Sequence, residues 1–142
     1  MKKLILAASI MALTACSAPQ QEQINLAPEA SLSNSNLVQG KTYTLSSKDV
    51  RAAQYVALVD SGRSNIQPIH AKQNMRISLE NVLAQQLESQ GFRASVNSEN
   101  SVVLEIQEAL VTVKHTIMEN QMDGKVTLEV TAETPEGKLV KT

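Results

Sequence analysis

One cysteine in 142 residues removes two kinds of scaffold at once. No disulfide can close within a chain that has a single Cys, and no metal site built from several thiolates is available. Aromatic residues are nearly as scarce: there is no Trp, and Tyr43, Tyr55 and Phe92 are the whole supply. The core is therefore expected to be aliphatic, and platforms for stacking on sugars or bases are few. With five glycines, the chain shows neither a phosphate-binding Gly-rich loop nor a dinucleotide fingerprint, and no Gly-x-Ser-x-Gly occurs. His70 and His115 are the only histidines, with no His-x-x-x-His and no neighbouring Cys. Local spacing thus gives no metal site, and His115, on the apolar face of its strand, is expected to be a hydrogen-bonded residue at the core edge. Charge of one sign is also lacking, with 13 basic against 14 acidic side chains. Such a balance gives no electrostatic reason to bind nucleic acid.

Long apolar runs are limited to one. Lys2 and Lys3 precede Leu4–Leu13, an apolar stretch broken only by Ser9. A bilayer core ~30 Å thick needs roughly 20 apolar residues, so this run is too short to span and fits the apolar region of a signal peptide. Leu13-Thr14-Ala15-Cys16 follows. It resembles the bacterial lipobox, in which the chain is cut before the Cys, here between Ala15 and Cys16, and that Cys receives lipid. Acyl chains add about 0.8 kcal/mol per buried CH2, so several on one residue make a lasting anchor. The residue after the lipidated Cys is Ser17 rather than the Asp that marks retention in the inner membrane, which implies sorting to the outer membrane. Residues 1–15 are thus expected as signal peptide and 16–23 as a polar tether (SAPQQEQ follows Cys16). The expected location is periplasm-facing, with the membrane contacted through lipid on Cys16.

Residues 24–142 read as one domain, since removing fifteen residues from 142 leaves 127, enough for a single core. Ile24–Ser33 alternates weakly and suits an edge strand or extended arm. Strands are expected over about 41–47, 55–59 and 66–71, the last weakened by Pro68. Asn74 is a suitable N-cap for a helix over about 75–90. Met75, Leu79, Val82, Leu83 and Leu87 form its apolar stripe, and Gly91 stops it. Phe92–Val96 begins a further strand. Val102, Leu104 and Ile106 are apolar on even positions, whereas Val111, Val113 and Ile117 are apolar on odd ones, so a bulge or break is required around Glu108–Leu110. Val126, Leu128, Val130 and Ala132 alternate in a strand reached through an Asp123-Gly124 turn. Pairing Ile117 with Val126, Val113 with Val130 and Val111 with Ala132 sorts apolar from polar across that hairpin, and sets Lys114 against Glu129. Pro135-Glu136-Gly137 is another turn, and Leu139-Val140 begins a strand. The fold class read from this order is α+β: a mostly antiparallel sheet with the helix on one face.

A lipobox, a strand ending in Asp49-x-Arg51, a helix ending in Leu87-x-x-x-Gly91-Phe92 and closing hairpins together resemble the YajG-like family of uncharacterised lipoproteins. The resemblance covers most of the chain after the signal peptide. It implies location and fold but no chemistry, because members of that family lack an assigned activity. Members are similar in carrying further strand and a closing helix beyond the point where this sequence stops. One helix ~10 Å across cannot cover a five-strand face about 20 Å wide. The expectation is therefore that a second helix beside residues 75–90 is missing, or that a second copy fills its place through the edge near Leu139.

Few side chains suit chemistry. Asp60-Ser61-Gly62-Arg63-Ser64 places serines in a turn with nothing local to activate them. Carboxylates are scattered, with no pair to divide acid and base roles. Asp49 and Arg51 are the best polar candidates for binding a partner; the competing reading makes them turn and strand-end residues that satisfy backbone groups. No enzyme and no cofactor are expected. The leading expectation is an accessory lipoprotein that contacts an unidentified envelope protein. The alternatives are a structural component or small-ligand carrier, then an enzyme with a loop-built site.

Overall fold

The computed structural model describes residues 21–36 and 38–142. Residues 1–20, which hold the expected signal peptide, Cys16 and Ser17, lie outside the described residues. The elements run β1 (Gln23–Ile24), β2 (Thr42–Asp49), β3 (Tyr55–Asp60), β4 (Ile66–Ala71), α1 (Met75–Ser89), β5 (Arg93–Ala94), β6 (Ser101–His115), β7 (Asn120–Thr134) and β8 (Gly137–Lys141). Strand dominates and one helix accompanies it, so the α+β reading stands at that level. The strand expected over Phe92–Val96 contracts to Arg93–Ala94.

The sheet is mixed, which corrects the expectation of a mostly antiparallel one. β6 is its spine. Along one edge it pairs in parallel first with β2 (Thr44 opposite Ser101 to Asp49 opposite Ile106) and then with β3 (Ala57 opposite Val111 to Asp60 opposite Lys114). Along the other edge it pairs with β7 in antiparallel fashion over nearly its whole length. β4 adds antiparallel to β3, β8 antiparallel to β7, while β1 and β5 add parallel to β4 and β2. The physical reason lies in β4 and α1 together. β4 turns back antiparallel beside β3, and α1 carries the chain on to Arg93–Ala94 beside the start of β2, so β6 sets out from that end and runs parallel to β2 and β3. Alternation within a strand carries no information about that direction.

β2 and β3 behave as one strand interrupted by residues 50–54. From Asp49 to Ala57 is eight steps, whereas their partners Ile106 and Val111 are five apart, so three extra residues are pushed out of the ladder. The spine accommodates the same junction with a bulge of its own, since the register against β7 shifts between Ile106 and Glu108. That is the phase slip required by the sequence, realised at Gln107. Leu104 and Ile106 below it and Ala109 above it therefore all reach the buried core, together with Tyr43, Val56 and Ala57. Tyr43 is thus a central core residue in a core expected to be aliphatic, and packs edge-on against Phe92 with ring centroids 6.1 Å apart. Its hydroxyl is buried without a hydrogen-bond partner, and burial raises its pKa above the ordinary value.

The helix has the ends its sequence specifies. The Asn74 side chain accepts from the Ile77 N–H. At the other end the Gly91 N–H donates to the Glu88 carbonyl at 3.0 Å and the Phe92 N–H to the Leu87 carbonyl at 3.2 Å. These two bonds, with Gly91 at φ +99°, form a Schellman stop. A Cβ at Gly91 would lie 2.6 Å from Asn36 Oδ1. Gly91→Ala is therefore expected to cost about 1–3 kcal/mol, from unfavourable φ and displacement of the Asn36 loop together, as read by urea denaturation. Along its length the helix is tied to β2 by Arg76, which donates to Ser47 Oγ at 2.7 Å and pairs with Glu80 at 3.3 Å, while Ser47 donates to Glu80.

The hairpin register expected from the sequence is corrected. Its turn is Thr116–Glu119, closed by the Thr116 N–H donating to the Glu119 carbonyl at 2.9 Å. Val113 faces Met122 and Val111 faces Gly124, eight residues earlier on β7 than the expected partners Val130 and Ala132. Lys114 lies opposite Gln121, not Glu129, and Asp123-Gly124 is mid-strand rather than a turn. A shift of eight residues is even, so Val111, Val113, Lys114 and their neighbours in the ladder stay on their expected faces. Ile117, expected opposite Val126, leaves the strand and lies exposed in the turn, and Val126 pairs with Ala109. Alternation fixes which face a residue occupies; it is blind to slips by two. The Pro135-Glu136 turn and the strand after it are where the sequence placed them.

Candidate functional site

β7 divides its two faces completely over its central stretch. Gln121, Asp123, Lys125, Thr127, Glu129 and Thr131 form one row. Met122, Gly124, Val126, Leu128, Val130 and Ala132 form the other, opposite the core-facing positions of β6. The outer row is pinned by polar contacts: Lys125 Nζ meets Glu108 at 2.7 Å, and Lys138 of β8 meets Glu133 at 3.1 Å. Glu105 and Glu129 stand directly opposite each other, and the Gln107 amide lies between them, 3.4 and 3.3 Å from their carboxylate oxygens. The bulge thus supplies a donor between two like charges.

The inner row is a different surface. The helix packs over β2 and β5 and does not extend across β7 and β8. Val126 and Leu139, both on the inner face, are each 67% exposed. Between helix and β7 run two clefts, of about 370 Å³ and 750 Å³. The helix supplies Met75 and Leu79 to the first and Leu83 and Leu87 to the second, a ridge with a four-residue repeat. β7 supplies Val126 and Leu128 to the first and Val130 and Ala132 to the second. The arm at Asn25–Pro28 closes the upper end of the first cleft, held by the Leu26 N–H donating to Gln73 Oε1 at 3.3 Å. One helix therefore leaves part of the apolar face open, as the width argument required. Large contiguous apolar surface of this kind marks binding sites.

The polar candidates are arranged inwardly. Asp49 and Arg51 sit at the break between β2 and β3 and hold each other. Asp49 Oδ1 accepts from Arg51 Nε at 2.9 Å and from the Arg51 N–H at 3.2 Å; Oδ2 accepts from Nη2 at 2.7 Å. The Arg51 side chain is 5% exposed and that of Asp49 15%. The hydrogen bond from Arg51 is the main cause that holds the Asp49 carboxyl below its ordinary pKa. This geometry closes the extruded segment 50–54 and leaves little of either group for another molecule. His70 is half-buried against Tyr55, ring centroids 6.4 Å apart. His115 is exposed and bonds Asn120 Oδ1 through Nδ1 at 2.7 Å, outside the core edge where the sequence placed it. Ser61 and Ser64 lie in the β3–β4 turn, whose Gly62 N–H donates to Asp60 at 2.9 Å. Among the described residues, no three His, Cys, Asp or Glu side chains converge as metal ligands, and no helix is long and apolar enough to cross a membrane.

The helix ridge and the apolar row of β7 were each legible in the sequence, as a stripe and as an alternation. That they form two walls of one groove was not, because the helix could have been laid over any pair of strands.

Comparison with known proteins bears on the fold. The crystal structure of protein XCC0632 from Xanthomonas campestris, a DUF330 protein, is similar with a TM-score of 0.51 and 11% identity, covering 83% of this chain and 75% of that one. The crystal structure of an uncharacterised protein is similar with a TM-score of 0.44 and 11% identity, over 86% and 76% of the two chains. No curated protein matches in sequence. The model of an uncharacterised lipoprotein family matches residues 28–142, nearly all that follows the arm. The chain therefore belongs to that YajG-like family of uncharacterised lipoproteins.

Proposed function

We propose that this protein is a non-enzymatic accessory lipoprotein of the cell envelope, held to the inner leaflet of the outer membrane by lipid on Cys16, and that it binds a partner protein in the groove between α1 and β7. The observation that carries the binding role is the exposed apolar row of β7 and β8 beside the Met75–Leu79–Leu83–Leu87 ridge. A groove with a helical ridge for one wall and an apolar sheet for its floor suits an amphipathic helix, which would lay its own apolar stripe into the vacant lane. The membership in a lipoprotein family and the lipobox at Leu13–Cys16 support the anchor.

Anchoring and sorting are tested in cells. Cys16→Ser is expected to leave the protein uncleaved or released from the membrane fraction. Ser17→Asp is expected to move it from the outer to the inner membrane fraction while the lipid mass on Cys16 persists. Wild-type protein that begins elsewhere, with an unmodified Cys16, would overturn the anchor. Wild-type protein in the inner-membrane fraction would overturn the sorting.

A further inference from the structure

We infer that the end of the sheet formed by the β6–β7 turn and the β3–β4 loop rests on the lipid surface that holds Cys16, with Ile117 and Met118 inserted among the lipids; this rests on the anchor proposed above.

Three observations converge on that end. The first is an exposed apolar pair without a role in the fold. Ile117 and Met118 occupy the centre of the Thr116–Glu119 turn and are fully exposed, and Ile66 at the start of β4, three strand steps short of Ile117, is partly exposed towards the same end. Short turns favour Gly, Asn and Asp, and an aliphatic pair at a turn gains nothing from folding. The turn itself is fixed, because Thr116 bonds Glu119 through both its backbone and its hydroxyl. Its two apolar side chains are therefore presented on a rigid support.

The second is the direction of the tether. β1 runs parallel to β4, with Gln23 opposite His70 and Ile24 opposite Ala71. Moving back from Ile24 through Gln23 to Glu22 is therefore moving from Ala71 towards Ile66, which is towards this end. The pairing already continues one residue in that direction, where the His70 N–H donates to the Glu22 carbonyl at 3.3 Å.

The third is length. Cys16 is seven steps from Gln23, a reach of about 25 Å when extended. From His70 to Ile66 is four steps; Ile66 pairs with Asp60, and Asp60 with Lys114. From Lys114 to Ile117 is three more. Seven strand steps of ~3.3 Å make about 23 Å. The tether thus just reaches the level of the turn, and a domain standing on this end needs no more chain than it has. Cations lie near the same end: Arg63 in the β3–β4 loop, and Lys114 three residues before Ile117. Both suit lipid phosphates.

The test uses the lipidated full chain in vesicles of phosphatidylethanolamine and phosphatidylglycerol. With Cys16 acylated on sulfur, an introduced cysteine is the sole free thiol. An environment-sensitive fluorophore is placed at Met118→Cys, and at Asn97→Cys in the loop before β6, at the opposite end. Emission at 118 should shift to the blue and rise several-fold with vesicles, and lipid-borne nitroxides should quench it; emission at 97 should stay water-like. Water-like emission at 118, in protein shown by intact mass to carry lipid and by flotation to be on vesicles, overturns the placement and leaves the anchor standing. Equal shifts at both positions, or a shift at 118 without vesicles, also overturn it, the latter by pointing to contact between copies. Protein without lipid on Cys16 overturns both readings.

Discussion

Asp49→Ala is expected to destabilise the domain by about 1–3 kcal/mol, the cost of leaving a part-buried charged group without its hydrogen-bond partner. The Arg51 side chain is 5% exposed, and two of its three nitrogens spend their hydrogen bonds on Asp49. Its Nη1 is already buried without a partner, so loss of the carboxylate strands the whole guanidinium. The double variant Asp49→Ala/Arg51→Met should recover a large part of the loss, because it removes the uncompensated charge while keeping apolar bulk. The sign of the pH effect follows from the direction of the Asp49 shift. Its folded pKa lies below the ordinary 3.8, so its contribution is fully present above the unfolded value and disappears as pH falls through the folded one. Wild-type stability should therefore fall more steeply below about pH 4 than that of Asp49→Asn. Urea denaturation across that window measures both effects. Equal slopes, or a loss under 1 kcal/mol for Asp49→Ala, would show that the pair behaves as a surface contact.

Two substitutions on the same sheet face should differ far more than their chemistry does. Ile106 is 0% exposed at the junction where β2 leaves the spine. Ile106→Ala removes buried atoms and leaves a cavity that neighbouring strands cannot collapse into, at a cost of about 2–5 kcal/mol. Val126 and Leu139 occupy the same face on β7 and β8 but are each 67% exposed. Val126→Ala and Leu139→Ala should change stability by only about 0.5 kcal/mol, as surface substitutions do. A cost at Val126 comparable to that at Ile106 would mean that the groove is closed by the protein itself in solution.

What was legible in the sequence divides along a physical line. Local features came through. The Asn74 cap, the Gly91 stop, the Pro135-Glu136 turn and the phase slip before Ala109 depend on a few adjacent residues and on backbone chemistry. Pro68 is tolerated in β4 because β1 pairs only at His70 and Ala71, leaving the Pro68 edge free. Non-local features did not come through. The parallel direction of β2 and β3 against β6 is set by the path through β4 and α1 back to the end where β2 begins, which strand patterning does not encode. The β6–β7 register was misplaced by eight residues because Asp123-Gly124 has turn chemistry and an even slip preserves both faces. The choice between 116–119 and 119–124 as the turn is decided by total ladder length, since the observed register pairs almost all of two fifteen-residue strands. The Asp49–Arg51 pair illustrates the same divide. The sequence offered the two as partner-binding residues or as turn and strand-end residues that satisfy backbone groups; that they hold each other at the seam between two half-strands depends on the whole sheet.

The groove is tested most directly by photo-crosslinking in intact cells, with the crosslinker placed in turn at Val126, Leu139 and Thr127. Val126 and Thr127 are adjacent on β7 and point to opposite faces. The account predicts adducts with one envelope protein from Val126 and Leu139, and none with it from Thr127. Absence of adducts from the inner positions, the same adducts from Thr127, or adducts only between copies of this chain would contradict it.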